Sequence, residues 1–193
     1  MTQSKHLWIL AGGNGAGKST FYDLYLAQYG IKFINADLIA KDIDSENPEL
    51  SSYRAATLAT RIREDLINQG ASFCFETVFS HESKIDFIAN AKARGYQITL
   101  IYIHLNNPGL NEARVHQRVS EGGHNVPTEK IYSRIPRTIK HVEIALSLVD
   151  EARLLDNSFQ DNPFQQVAVL KSGKCEKLIS PLPEWAKSIL SEN

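Results

Sequence analysis

The feature that most constrains this chain is GGNGAGKST, residues 12 to 20, set between HLWILA and FYDLYLAQYG. Gly12, Gly17, Lys18 and Ser19 satisfy G-x-x-x-x-G-K-[ST], with an apolar run before the motif and a helical pattern after it. Glycines there let backbone N–H groups turn inward around phosphates, and the helix N-terminus adds a favourable dipole. The stretch Gly12, Gly13, Asn14, Gly15, Ala16, Gly17, Lys18, Ser19 and Thr20 is therefore the expected ATP cradle. Lys18 is expected to reach the β- and γ-phosphates, and the Ser19 hydroxyl to bind Mg²⁺.

Apolar runs and helical patterns alternate around this loop. Leu7–Ala11, Lys32–Asn35, Ser72–Phe75, Gln97–His104 and Arg153–Leu155 read as strands. Helices are predicted from Lys18, around Glu49–Asn68 and from His81 to Arg94. Strand, helix, strand at this spacing implies right-handed crossovers and an α/β fold, with a parallel sheet covered by helices on both faces. The segment from about 107 to 141 differs in character, with six Lys/Arg against three Glu and Gly122-Gly123 near its middle. Two short basic helices around a glycine hinge would form a lid. Beyond it, VAVLKSGKCEKLI reads as a hairpin about Ser172-Gly173, and Glu184–Ser191 as a terminal helix. A length of 193 residues suits one domain over 1–193, with the hairpin and helix occupying about 164–191.

Composition narrows the partners. The formal net charge of −1 gives no nucleic-acid signature to the chain as a whole. No apolar run approaches the roughly 18 residues that span a bilayer, and MTQSKHLWILAGG lacks the zones of a secretory signal. Cys74 and Cys175 are in no metal-ligand spacing, so two free thiols and a cytoplasmic protein are expected, with no membrane partner.

Other motifs separate the classes of phosphate-loop protein. The chain has no LSGGQ-like run, no N/T-K-x-D and no long apolar strand ending in Asp-Glu. Instead Asp37 follows FINA and Glu76 follows SFCF, both at strand ends that open toward the ligand crevice. One such carboxylate can activate an acceptor hydroxyl while the other holds the acceptor or the Mg²⁺ shell. That is small-molecule kinase architecture. The structural alternatives are a helix cap for Asp37, at the start of DLIAKDI, and a cap or salt bridge for Glu76. In the lid, Arg114 and Arg118 share one helix face, and Arg134 and Arg137 share another. Guanidinium groups suit the charge that spreads over a transferring phosphoryl group. His124, in GGHNVP, is a candidate for phosphate or acceptor contact.

Together GGNGAGKST, FINADLIA, FCFETVFS, RVHQRVSEGGHNVP and IYSRIPR resemble the zeta-toxin family of P-loop kinases, in its compact bacterial branch. The likeness runs from about Leu7 to Ser158. It implies a five-stranded parallel sheet with helical flanks. It also implies Asp37 as catalytic base, Glu76 with Thr77 as acceptor-holding residues, and Arg118 and Arg134 as the phosphate clamp. Arg114 and Arg137 stand as alternates to that pair, and Asp156-Asn157-Ser158 falls near the nucleotide base. The family implies ATP, Mg²⁺, a nucleotide-sugar or nucleotide acceptor such as UDP-N-acetylglucosamine, and a small antitoxin partner. A housekeeping metabolite kinase, a non-catalytic ATP-binding module and a nucleic-acid end kinase are the competing readings. The last is disfavoured by the lack of an extended basic and aromatic track.

Overall fold

The apolar run ahead of the glycine loop forms β1 (His6–Ala11), and its alternation decides what each face carries. The computed structural model describes residues 4–190 apart from Glu49 and His124. His124, Glu49 at the expected start of a helix, and Ser191 at the expected end of another lie outside the described residues. After β1 come α1 (Lys18–Tyr25), a 3-10 turn (Ala27–Tyr29), β2 (Phe33–Ile34), α2 (Ala36–Ile43) and α3 (Ser52–Gln69). Next are β3 (Phe73–Thr77), α4 (Ser83–Ala93), β4 (Gln97–His104), α5 (Pro108–Ser120) and α6 (Thr128–Ala145). The chain continues with β5 (Glu151–Asp156), β6 (Gln165–Lys171), β7 (Lys174–Lys177) and α7 (Glu184–Leu190).

The strands lie in the order β2-β3-β1-β4-β5-β6-β7. The first five are parallel, as expected, and the predicted hairpin extends the same sheet with two antiparallel strands. β1 sits between β3 and β4, so the loop that follows it opens where the crossovers diverge to either side. Leu7, Ile9 and Ala11 face a core shared with α3, α4, α6 and α7. Trp8 and Leu10 face the other way, into a smaller cluster covered by Phe21 of α1 and by Phe164. Each fully buried Leu, Ile or Phe in these layers is worth about 1.5–3 kcal/mol over its exposed state.

Two expectations need correction. Glu76 does not follow β3 but lies within it, because the β1 ladder runs on through Leu10–Glu76 and Ala11–Thr77. The lid helices are not both short: α6 has 18 residues. Its first half packs Ile131 against Val115 of α5 and Val126 in a small apolar seam. Its second half places Val142 and Ala145 in the main core. The lid is thus anchored at one end. Both cysteines are free, with Cys74 buried and its thiol pushed up by desolvation.

His104 ends β4 beneath the phosphate loop, its ring buried against Trp185 and its Nδ1 2.8 Å from the Tyr102 hydroxyl. Burial pushes its pKa down to about 4, outweighing the pull of Asp156 in the other direction. Between that value and an unfolded pKa near 6.5, the unfolded chain binds the extra proton. Stability is therefore full above about pH 6.5 and falls with pH until about 4, by about 3 kcal/mol. Chemical denaturation of the native protein and of His104→Gln across this range should show the slope in the first and its loss in the second.

Candidate active site

The phosphate loop runs from β1 into α1 and needs glycine for steric reasons. Gly12 has φ +153°, and a Cβ there would lie 2.3 Å from the Ile103 carbonyl oxygen on β4. Gly17, at φ +97°, leads into the first turn of α1, and its Cβ would meet the Asn157 side-chain nitrogen at 2.6 Å. Three side chains hold the loop from outside. Asn111 of α5 donates to the Asn14 carbonyl at 2.7 Å, Asn157 donates to the Ala16 carbonyl at 2.9 Å, and Arg134 of α6 donates to Asn14 Oδ1 at 3.2 Å. Lys18 is buried, and its Nζ donates to the Gly13 carbonyl at 3.0 Å. Burial lowers its pKa, while Glu76 and then Asp37 pull it upward.

Ser19 donates its hydroxyl proton to Glu76 Oε2 at 2.5 Å and lies 3.4 Å from the donating Asn35 Nδ2. β2 ends at Ile34, and Asn35 caps α2 by accepting from the backbone N–H groups of Asp37 and Leu38. The cap reading of Asp37 is therefore superseded: Asn35 has that role, and the Asp37 carboxylate is left in the first turn of α2. It faces Arg118, whose Nη1 lies 3.8 Å from Asp37 Oδ2. Arg134 has its pKa lowered by burial and by Arg137, with Asp37 opposing.

Two cavities flank the loop. One, of about 530 Å³, lies over Gly17 and Thr20 and is walled by Arg114, Asn157, Phe159 and Phe164. The other, of about 420 Å³, is lined by Asp37, Thr77, Arg134 and residues of α3 and α4. Gly15, Lys18, Glu76 and Arg118 line both. The junction therefore combines two cations, one carboxylate and the inner side of the glycine loop. Arg114 donates to the Asn157 carbonyl at 3.0 Å on the first cavity's side. Arg137 stands apart: it is exposed, lines neither cavity, and donates to the Ser133 carbonyl of its own helix.

The arrangement fits a nucleoside triphosphate with a magnesium ion. A glycine cradle that a Cβ would fill leads to a cavity with aromatic walls, and hard oxygen donors gather at Ser19 and Glu76. Among the described residues no cluster of three or more His, Cys, Asp or Glu could hold a metal. Phosphate oxygens and water would have to complete the shell, as is usual for magnesium. Asn111, Arg63 and Lys84 hold or line these cavities outside every motif, and Asn35 lies within FINADLIA but drew no role from the sequence. The usable signals were an Asn two residues before the predicted helix DLIAKDI and a polar residue at a core-facing helical position.

A family model described as "Zeta toxin" matches residues 2–178. An uncharacterised protein of Haemophilus influenzae is 32% identical over 137 residues, covering 67% of this chain and 97% of that protein. Among solved structures, a chain of the AvrRxo1-ORF1:-ORF2 complex with ATP superposes with a TM-score of 0.72 at 19% identity, covering 99% of this chain. This chain spans 63% of that one. A chain of the PezAT chromosomal toxin–antitoxin system of Streptococcus pneumoniae superposes with a TM-score of 0.65 at 12% identity, covering 99% of this chain and 88% of that one. At these identities the structural likenesses establish a shared fold. Among the described residues no helix is long and apolar enough to cross a membrane.

Proposed function

The chain belongs to the zeta-toxin family, and from that premise we propose that it is an ATP- and Mg²⁺-dependent kinase. Its acceptor would be a hydroxyl of a nucleotide-sugar or related nucleotide metabolite, and its role that of a toxin with a small antitoxin partner. The observation that carries this reading is the meeting of two cavities at Lys18, Glu76 and Arg118, with the Asp37 carboxylate on one side only. A site for hydrolysis alone has no need of a second chamber walled by residues from seven elements, α1 to α6 and β3. The AvrRxo1 complex contains ATP, and PezAT is a toxin–antitoxin system, which adds support by analogy.

The roles follow from placement. The glycine loop and Lys18 would bind the phosphates, and Phe159 and Phe164 would pack on the base. Magnesium, when bound, would neutralise charge on the phosphate oxygens, held by Ser19 with Glu76 behind it. Asp37 would take the acceptor's hydroxyl proton on its carboxylate as the oxygen attacks. Arg118 and Arg134 would stabilise the charge that spreads over the transferring group.

The direct test is ATP consumption by the purified protein with Mg²⁺ against UDP-N-acetylglucosamine, NAD, nucleosides and an oligonucleotide, with mass spectrometry of the products. A small-molecule product heavier by one phosphoryl group is expected. A phosphorylated oligonucleotide would replace this reading with an end-kinase, and ADP formed without any phosphorylated product would make the protein an ATPase.

A further inference from the structure

The second cavity has a chemistry that phosphoryl transfer does not use. Arg63, on α3, is 7% exposed and lines it together with Lys84 in the first turn of α4. The guanidinium lies 4.9 Å from the centre of the Phe75 ring and donates from Nη2 to Thr60 Oγ1 at 2.8 Å. Its Nε is buried and has no hydrogen-bond partner. Among the described residues neither Arg63 nor Lys84 forms an ion pair. Burial depresses both groups, and Arg63 depresses Lys84 further.

The acids of the same cavity are committed elsewhere. Glu76 accepts from Ser19, and Asp37 faces Arg118. Glu64, next to Arg63 on α3, is exposed and is the one acid that favours the charged guanidinium. Two neighbouring cations without a counter-ion, one of them desolvated with an unmet donor, are a net destabilisation of the folded chain. A purely structural wall would be better served by apolar side chains against Phe75 and Phe87. An anion entering the cavity would satisfy the orphan N–H, neutralise two charges and gain charge-assisted hydrogen bonds in a low-dielectric setting.

We propose that Arg63 and Lys84 form an anion subsite of the acceptor cavity, which holds a phosphate or diphosphate group already present on the acceptor while its hydroxyl faces Asp37. This rests on the kinase reading for the word acceptor, but the subsite is defined by its own residues. It makes the enzyme selective for phosphorylated metabolites over their uncharged counterparts.

The test is binding of inorganic pyrophosphate, by calorimetry, to protein whose phosphate loop is saturated with ADP. Pyrophosphate should bind the native protein and lose at least about tenfold in affinity in Arg63→Met and in Lys84→Ala, while ADP affinity holds. Arg63→Met should melt at or above the native temperature, since it removes an unpaired buried charge. A structural arginine would lower it. Should Arg63→Met fail to fold, Lys84→Ala on the half-buried start of α4 decides alone. Pyrophosphate that binds Lys84→Ala as tightly as the native protein, or that fails to bind the native protein, overturns the proposal. Since this binding needs no turnover, it is separable from the kinase reading. Binding that depends on these cations with no phosphorylated product would sink only the kinase. Turnover of a phosphorylated acceptor with an unchanged KM in Lys84→Ala would sink only the subsite.

Discussion

Asp37→Asn will lower phosphoryl transfer by about 10²- to 10⁴-fold, the usual worth of a positioned general base, and leave ATP binding intact. The substitution is nearly isosteric, and the Asp37 side chain is 48% exposed, so folding should be unaffected. The N-terminus of α2 does not depend on it either, because Asn35 accepts from the N–H groups of residues 37 and 38. What the variant loses is the one carboxylate of the acceptor cavity that is not hydrogen-bonded to a loop residue: Glu76 already accepts from Ser19. Single-turnover transfer with the acceptor found in the panel measures the first effect, and an ATP-dependent melting shift measures the second. The same variant separates the biological readings. Induced expression of the native chain should slow bacterial growth and the variant should not. Normal turnover by Asp37→Asn removes Asp37 from the chemistry, and equal growth of the two strains removes the toxin.

How much of this was legible beforehand depended on whether a feature is local in the chain. The phosphate loop is nine contiguous residues whose spacing has one physical purpose, and the structure places them at the C-terminal end of a central strand as expected. The strand Gln97–His104 was visible because seven of its eight residues are buried, which leaves an unbroken apolar and aromatic run. Glu76 was read as following its strand because an acid breaks such a run. Only the ladder to β1, set by tertiary pairing, shows the strand continuing through it. α6 looked like a basic lid helix because its charged residues are conspicuous. Its core residues Val142 and Ala145 lie at the far end, where the lid has already become part of the sheet's cover.

The side-chain contacts that hold the loop share a different property. Asn111 and Asn157 act on groups far away in sequence: Asn111 on a carbonyl 97 residues away and Asn157 on one 141 residues away. No window along the chain contains both partners. Arg63 sits in a helix whose other charges are solvated, and only its place on the face of Ala55, Ala59 and Leu66 separates it from Arg61, which is exposed. Its significance comes from burial with an unmet Nε and no ion-pair partner among the described residues, which only packing can show.

The largest combined effect should come from the lid. Replacing both Arg118 and Arg134 with alanine should reduce turnover by about 10³-fold or more, as expected for arginines that meet the charge of a transferring phosphoryl group. The two act on different parts of the same centre. Arg118 lies at the junction of both cavities and 3.8 Å from Asp37, whereas Arg134 ties the lid to the loop through Asn14. Their losses should therefore be non-additive, because a loop released from Arg134 no longer presents the phosphates to Arg118 correctly. The Arg118 pair with Asp37 is partly exposed and contributes at most about 1 kcal/mol to stability. The double variant should accordingly melt within a few degrees of the native protein. Comparing the two single variants with the double in a steady-state cycle reads the coupling directly. Full turnover in the double variant would move the clamp to Arg114, the remaining lid arginine that lines a cavity beside the loop.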